Sequence, residues 1–195
     1  MKTINLFGPP GAGKSTVMKG LTYQLKTMGL SVEDTPEFIK EMIFEESNLD
    51  LFGGQIFILG QQNRRLSRLV KTIDFVVTDC PLVLIASYTP ENYIQGFEEM
   101  AINLANKYDN VNFYLHRNPE YEFENANRYH DESASDKKGQ EILSYLNKHN
   151  IQYKEFVSGD NVVSEIVDSL IEQNVITMEH LRCSRNPSIR RKFAA

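Results

Sequence analysis

The sequence predicts a three-layer α/β domain: a five-stranded, mostly parallel sheet with helices on both faces and a lid. Three observations carry that expectation. Short apolar runs of strand length alternate with longer stretches whose apolar residues recur at helical spacing. The first such run passes directly into a glycine-rich stretch, GPPGAGKST at 8–16, and then into a helical pattern. A content of 41% hydrophobic and 24% charged residues in 195 suits one folded domain of ordinary size.

TINLF (3–7) is a buried strand. From Lys14 to about Met28, the residues Val17, Leu21, Leu25 and Met28 line one helical face, and Gly29 stops the helix. SVEDT (31–35) is a second strand, after which Pro36 opens a helix carrying Phe38, Ile39, Met42 and Ile43. The loop SNLDLFGG leads into a long helix of about 55–71. DFVVTDC (74–80) is a third strand, 91–107 a helix, and VNFYLHR (111–117) a fourth strand. A polar stretch at 118–138 reads as the lid, followed by a helix to about Asn150. QYKEFV (152–157) is the fifth strand, and 161–173 a closing helix with Val162, Ile166 and Leu170 on one face. Residues 1–173 thus make one domain with right-handed crossovers. Residues 174–195 form a basic C-terminal tail, a short helix followed by a disordered end.

A net charge of −5 and a pI of about 5.4 argue against a whole-surface grip on nucleic acid. Cys80 and Cys183 make neither a disulfide framework nor a metal pair of recognised spacing, which suggests a reducing compartment. The N-terminus leaves no room for a signal peptide, and no apolar run approaches the ~18 residues of a membrane span. A cytoplasmic protein without a membrane partner is the expectation.

Gly8 and the Gly13-Lys14-Ser15 run fit the phosphate-loop pattern G-x-x-x-x-G-K-[ST], between a strand and a helix as the chemistry requires. The fold class is therefore that of P-loop NTPases. Gly8, Gly11, Ala12 and Gly13 would turn backbone N–H groups towards phosphate oxygens, and the helix start adds partial positive charge. Lys14 would reach the β- and γ-phosphates of ATP, the Ser15 hydroxyl would hold Mg²⁺, and Thr16 would meet the α-phosphate.

Asp79, ending a hydrophobic strand, is the candidate second metal-side group. Cys80 and Pro81 follow it, where many ATP-hydrolysing motors carry a second carboxylate to activate water. These features favour phosphoryl transfer to an acceptor other than water. Glu37, just past the second strand, would take the proton of an attacking hydroxyl. Gln55 could pair with a base. Arg117, at the end of the fourth strand, and Arg128, in the lid, would neutralise charge on a transferred phosphoryl group. Cys80 reads as a packing residue.

The run FGPPGAGKST, the acid in TPEFIK, GQQNRRLSRL, VVTDCPL and a strand ending in LHR before a polar lid resemble a known group. It is the small ATP-binding P-loop proteins common in bacteriophage genomes, similar to NadR-type nicotinamide riboside kinase domains and distantly to deoxynucleoside kinases. The resemblance spans roughly 1–172 and places the protein in a host cytoplasm if phage-encoded. It implies Glu37 as general base, Asp79 as metal-side carboxylate and Gln55 as base reader. Those kinases usually carry an arginine directly after that acid, where this chain has Cys80. The implied activity is transfer of the γ-phosphoryl group of ATP, with Mg²⁺, to a nucleoside, nucleotide or related small molecule. One alternative is a kinase acting on nucleic acid, such as a hydroxymethylated pyrimidine in DNA, gripped by Arg182, Arg185, Arg190, Arg191 and Lys192 of the tail. A second is a nucleotide-binding regulatory ATPase with little turnover. The oligomeric state stays open.

Overall fold

The structure is a computed structural model and describes residues 1–44, 54–90, 93–121 and 132–193. Five strands form one sheet in the order β2-β3-β1-β4-β5, and every neighbouring pair is parallel. They are β1 (Lys2–Phe7), β2 (Val32–Thr35), β3 (Phe75–Thr78), β4 (Asp109–His116) and β5 (Lys154–Val157). The central strands read as continuous apolar runs because both faces of a parallel sheet are covered. All of β3 is buried, and so is all of β1 beyond Lys2. Register sets Asn5 and Thr35 on either side of Thr78, so β1, β2 and β3 reach the same edge together.

Successive β3 residues feed opposite layers, as a strand's two-residue period requires. Phe75 and Val77 join a cluster with Leu21 and Leu25 of α1 (Lys14–Thr27) and Ile166 and Leu170 of α7 (Val162–Glu172). Val76 faces the other layer, with Leu59 and Leu66 of α3 (Gln55–Ser67), Leu82 of α4 (Leu82–Ala86), and Phe97 and Ala101 of α5 (Phe97–Ala105). On the β4 side of that layer, Phe7 and Tyr114 pack with Ile142 and Leu146 of α6 (Glu132–Lys148). A short helix, α2 (Phe38–Phe44), follows β2. Among the described residues, no helix is long and apolar enough to cross a membrane.

Four differences from the sequence reading have physical reasons. The sequence shows no α4, because LVLIA is buried at every position and so carries no helical period. The expected helix at 91–107 is α5, which begins only after Gly96, at φ +80. Helix α6 starts at Glu132, inside the stretch read as lid, and residues 122–131 of that lid lie outside the described residues.

The fourth difference is the C-terminus, where the expected free end is instead docked and helical. Val175, Ile176 and Leu181 are buried in the α1–α7 cluster. Leu181 belongs to α8 (Met178–Arg182), whose start is closed by reciprocal bonds between Thr177 and His180. Helix α9 (Pro187–Lys192) follows, with Asn186 as N-cap and proline in its first turn. The connecting residues cap the end of α1: Asn186 Nδ2 donates to Thr27 O at 2.6 Å, Arg185 N to Gly29 O at 3.2 Å, and Ser184 Oγ to Met28 O. Gly29 sits at φ +78, and a Cβ there would stand 2.4 Å from Asn186 N. Glycine therefore ends α1 and also makes room for the C-terminal segment.

Candidate functional site

The loop from Gly8 to Gly13 joins the buried β1 to α1. Gly8 sits at φ +143, and a Cβ on it would meet Leu115 O of β4 at 2.4 Å, so the loop can press on the sheet edge only with glycine there. Gly11 and Gly13 turn the chain at φ +83 and +76. Ala12 is buried; its N–H donates to Pro9 O at 3.2 Å, and its carbonyl accepts from Ser158 Oγ. Val17 N donates to Gly13 O at 2.9 Å, so the amides of Lys14, Ser15 and Thr16 precede the first helical bond. No side chain caps this helix start. The result is a concave turn of uncommitted donors at a positive helix end, suited to phosphate.

Lys14 Nζ donates to Gly8 O at 2.8 Å and Pro9 O at 2.9 Å. Burial lowers its pKa, opposed by the nearby Glu37 and Asp79 charges. Thr16 is exposed beside it.

The ends of β2 and β3 bring the acids to this loop. Asp79 follows β3 and is 1% exposed, so its charge needs partners. Its Oδ2 accepts from Ser15 Oγ at 2.6 Å, and its Oδ1 from Glu37 N at 2.9 Å. Glu37 follows β2, and burial raises its carboxyl above the ordinary range while Lys14 and Lys40 oppose the shift. The structure thus gathers Lys14 and Ser15 from the start of α1, Glu37 from beyond β2 and Asp79 from beyond β3 in one cluster.

Lys40 also belongs to this cluster, and the sequence reading passed over it. Its Nζ lies 2.5 Å from Ser15 Oγ, 3.4 Å from Asp79 Oδ2 and 3.6 Å from Glu37 Oε2. Its spacing of three from Glu37 across a helix start was the available signal. Gln62 was missed as well. It is fully buried; its Oε1 accepts from Phe38 N at 3.2 Å, and its Nε2 reaches Thr35 O at 3.4 Å and Thr78 Oγ1 at 3.3 Å. One amide therefore ties α3 to the β2 and β3 ends and to the first turn of α2. Arg65 assists from the same helix, donating to Pro36 O at 3.0 Å and pairing with Glu41 at 2.6 Å.

The remaining sequence candidates are placed differently. Gln55 is the first residue of α3, half-buried, and its side chain makes no hydrogen bond to another described residue. Arg117 is held by α6, with Glu132 at 3.1 Å and Asp136 at 2.8 Å. Arg128 lies outside the described residues. Cys80 is buried, and burial together with Glu37 and Asp79 pushes its thiol well up, consistent with packing rather than nucleophilic chemistry. Helix α6 closes one wall of the phosphate loop: Ser135 Oγ donates to Pro10 O at 2.5 Å, and Tyr114 Oη to Gly139 O at 3.1 Å.

No curated protein matches the chain. Among solved structures, shikimate kinase from Aquifex aeolicus is similar at 18% identity and TM-score 0.50, over 90% of this chain and 99% of that one. Deoxyadenosine kinase from M. mycoides with bound dCTP is similar at 17% identity and TM-score 0.54, over 87% and 98%. At these identities the likeness is one of fold: a P-loop NTPase-like sheet with its phosphate loop after β1. A family model described as an AAA domain matches residues 3–179, and with that match, on this sheet and this loop, the chain belongs to that family.

Proposed function

We propose that the protein is a phosphotransferase that moves the γ-phosphoryl group of ATP, with Mg²⁺, to a nucleoside, nucleotide or related small molecule. The observation that carries this reading is the convergence of Ser15, Asp79 and Glu37 beside a phosphate loop. A motor site needs a carboxylate aimed at water directly after the strand acid; here Cys80 stands there and the second acid comes from the β2 end. The fold likeness to two proteins titled as kinases supports the same reading.

The residues present fit a hard divalent cation. A hydroxyl and a carboxylate oxygen lie 2.6 Å apart, and Mg²⁺ bound with nucleotide takes its other ligands from phosphate and water. Ser15 and Asp79 would hold it, and the bound ion would neutralise phosphate charge. Lys14, now bonded to two loop carbonyls, would turn its ammonium to phosphate oxygens. The amides of the loop and of the start of α1 would cradle them. Glu37 would accept the acceptor's hydroxyl proton as its oxygen bonds to the γ-phosphorus and the bond to the ADP oxygen breaks; a carboxylate raised by burial is the stronger base. Arg117 and Arg128 would steady the charge on the moving group, Arg117 after release from Glu132 and Asp136.

The nucleic-acid alternative draws least from the site. The exposed Arg182, Arg185, Arg190, Arg191 and Lys192 belong to the segment docked at the far end of α1. A helix of 14 residues puts them about 20 Å from the phosphate loop.

The test is transfer of label from γ-labelled ATP, with Mg²⁺, to nucleosides, mononucleotides, nicotinamide riboside, and plain or hydroxymethylated DNA. Label on a small molecule supports the reading, and label on DNA alone replaces its acceptor class. Intact nucleotide binding with no label on any acceptor refutes it in favour of a regulatory nucleotide-binding protein.

A further inference from the structure

We propose that the Lys40 ammonium is an internal counter-cation that occupies the divalent-metal position and must swing out for metal to enter. The inference rests on the reading of Ser15 and Asp79 as metal-side residues. Three oxygens converge on that ammonium: Ser15 Oγ at 2.5 Å, Asp79 Oδ2 at 3.4 Å and Glu37 Oε2 at 3.6 Å. Two of them are the pair that would hold the metal, at 2.6 Å from each other. A divalent ion bonded to that pair at about 2 Å cannot share the position with an ammonium in contact with both. The two cations are mutually exclusive.

Electrostatics explains why a lysine stands there. Asp79 is 1% exposed, and an uncompensated carboxylate at that depth is costly. Glu37 adds a second acid close by, since its own N–H bonds to Asp79. Lys14 acts on both acids through its charge, but its ammonium donates to Gly8 O and Pro9 O, not to either carboxylate. Lys40 supplies the missing positive charge.

The arrangement also lets it leave. The Lys40 side chain is 44% exposed and extends from a helix of seven residues, so solvent is within reach of its flexible stem. The consequence is a gate on the metal. Bare metal must displace Lys40 for little gain, whereas metal arriving with nucleotide brings phosphate oxygens as further ligands. Lys40 thereby couples metal entry to nucleotide entry.

The experiment titrates Mn²⁺ into the full-length, nucleotide-free protein and reads free Mn²⁺ by electron paramagnetic resonance. Lys40→Met should bind Mn²⁺ at least about tenfold more tightly than wild type, because a unit charge no longer opposes a double one at contact distance. Lys40→Gln serves as a second neutral variant, with circular dichroism confirming the fold of each. Lys40→Arg, which keeps the charge, should stay within about threefold of wild type. Adding Asp79→Asn to Lys40→Met should abolish the gain.

Equal or weaker Mn²⁺ binding in both neutral variants overturns the proposal, as does a gain that survives Asp79→Asn. A wild type that transfers phosphate while neither neutral variant gains affinity overturns this inference alone. A gain that depends on Asp79, without transfer to any acceptor, supports it and refutes the kinase reading instead.

Discussion

Replacing Leu181 by alanine tests whether the C-terminal segment is part of the fold. Leu181 is fully buried and packs in the cluster that holds Leu25, Ile166, Leu170 and Ile176. The cavity would be walled by the sheet and two long helices, which leaves little room for collapse, so the cost belongs in the ordinary range for buried leucine, about 2–5 kcal/mol. Taken as about 3 kcal/mol, that is a fifth or more of a domain's typical 5–15 kcal/mol. With a slope of about 2 kcal/mol/M, the urea midpoint should fall by roughly 1.5 M. Ending the chain after Asn174 removes Val175 and Ile176 as well. At about 1.5–3 kcal/mol for each buried side chain, the loss approaches the whole stability of the domain, and the shortened chain should not fold cooperatively. Replacing Arg190 and Arg191 by alanine should change stability by less than about 0.5 kcal/mol, since both are exposed. Denaturation followed by circular dichroism reads all three. A shortened chain with an unchanged midpoint would refute the docking and restore a free basic tail.

Gly29→Ala should destabilise by about 1–2 kcal/mol from its left-handed backbone alone, and by more because its Cβ would meet Asn186 N and Ser184 Oγ at 2.4 Å; a denaturation midpoint equal to wild type would contradict that contact. Gln62→Leu keeps volume but strips the bonds to Phe38, Thr35 and Thr78, so about 1–3 kcal/mol should be lost in the same assay. Glu37→Gln should lower kcat by about 10²–10⁴ if Glu37 is the base, measured with the best acceptor. Because burial raises this carboxyl above 4.5, wild-type kcat should fall as pH drops through a value above that, and Glu37→Gln should lack this limb. The stability sign is opposite: a carboxyl raised on folding costs stability as pH rises through its folded pKa, so Glu37→Gln should be no less stable than wild type at neutral pH.

Much of the architecture is written locally. A phosphate loop between a strand and a helix is a contiguous signal, and so are the apolar runs of β1 and β3 and the acids that end β2 and β3. Asp79 and Glu37 could be singled out because strand ends on one edge of a parallel sheet face the same ligand side. The missed features depend on which elements meet. Gln62 is one amide among several on α3, and only the docking of that helix against the β2 and β3 ends singles it out. The partners of Arg117 were hidden too, because α6, starting earlier than the polarity of 118–138 suggested, presents Glu132 and Asp136 to it. Basic residues around Leu181 hid a core position, since composition averages a segment whereas burial is decided residue by residue.

Lys40 shows the same limit at the centre of the site. In TPEFIK the acid draws attention, and the lysine three residues on looks like its ordinary helical partner. That pairing is real but loose, at 3.6 Å. The closer contact is with Ser15, 25 residues earlier in another element, and it exists because Glu37 N is bonded to Asp79, which seats the start of α2 above the loop. The same bond therefore fixes the candidate base beside the metal-side acid and sets the lysine over the pair of oxygens that metal would need. A change that loosens it would disturb base and counter-cation together. That is why Gln62, which holds the first turn of α2 from beneath, should affect catalysis as well as stability.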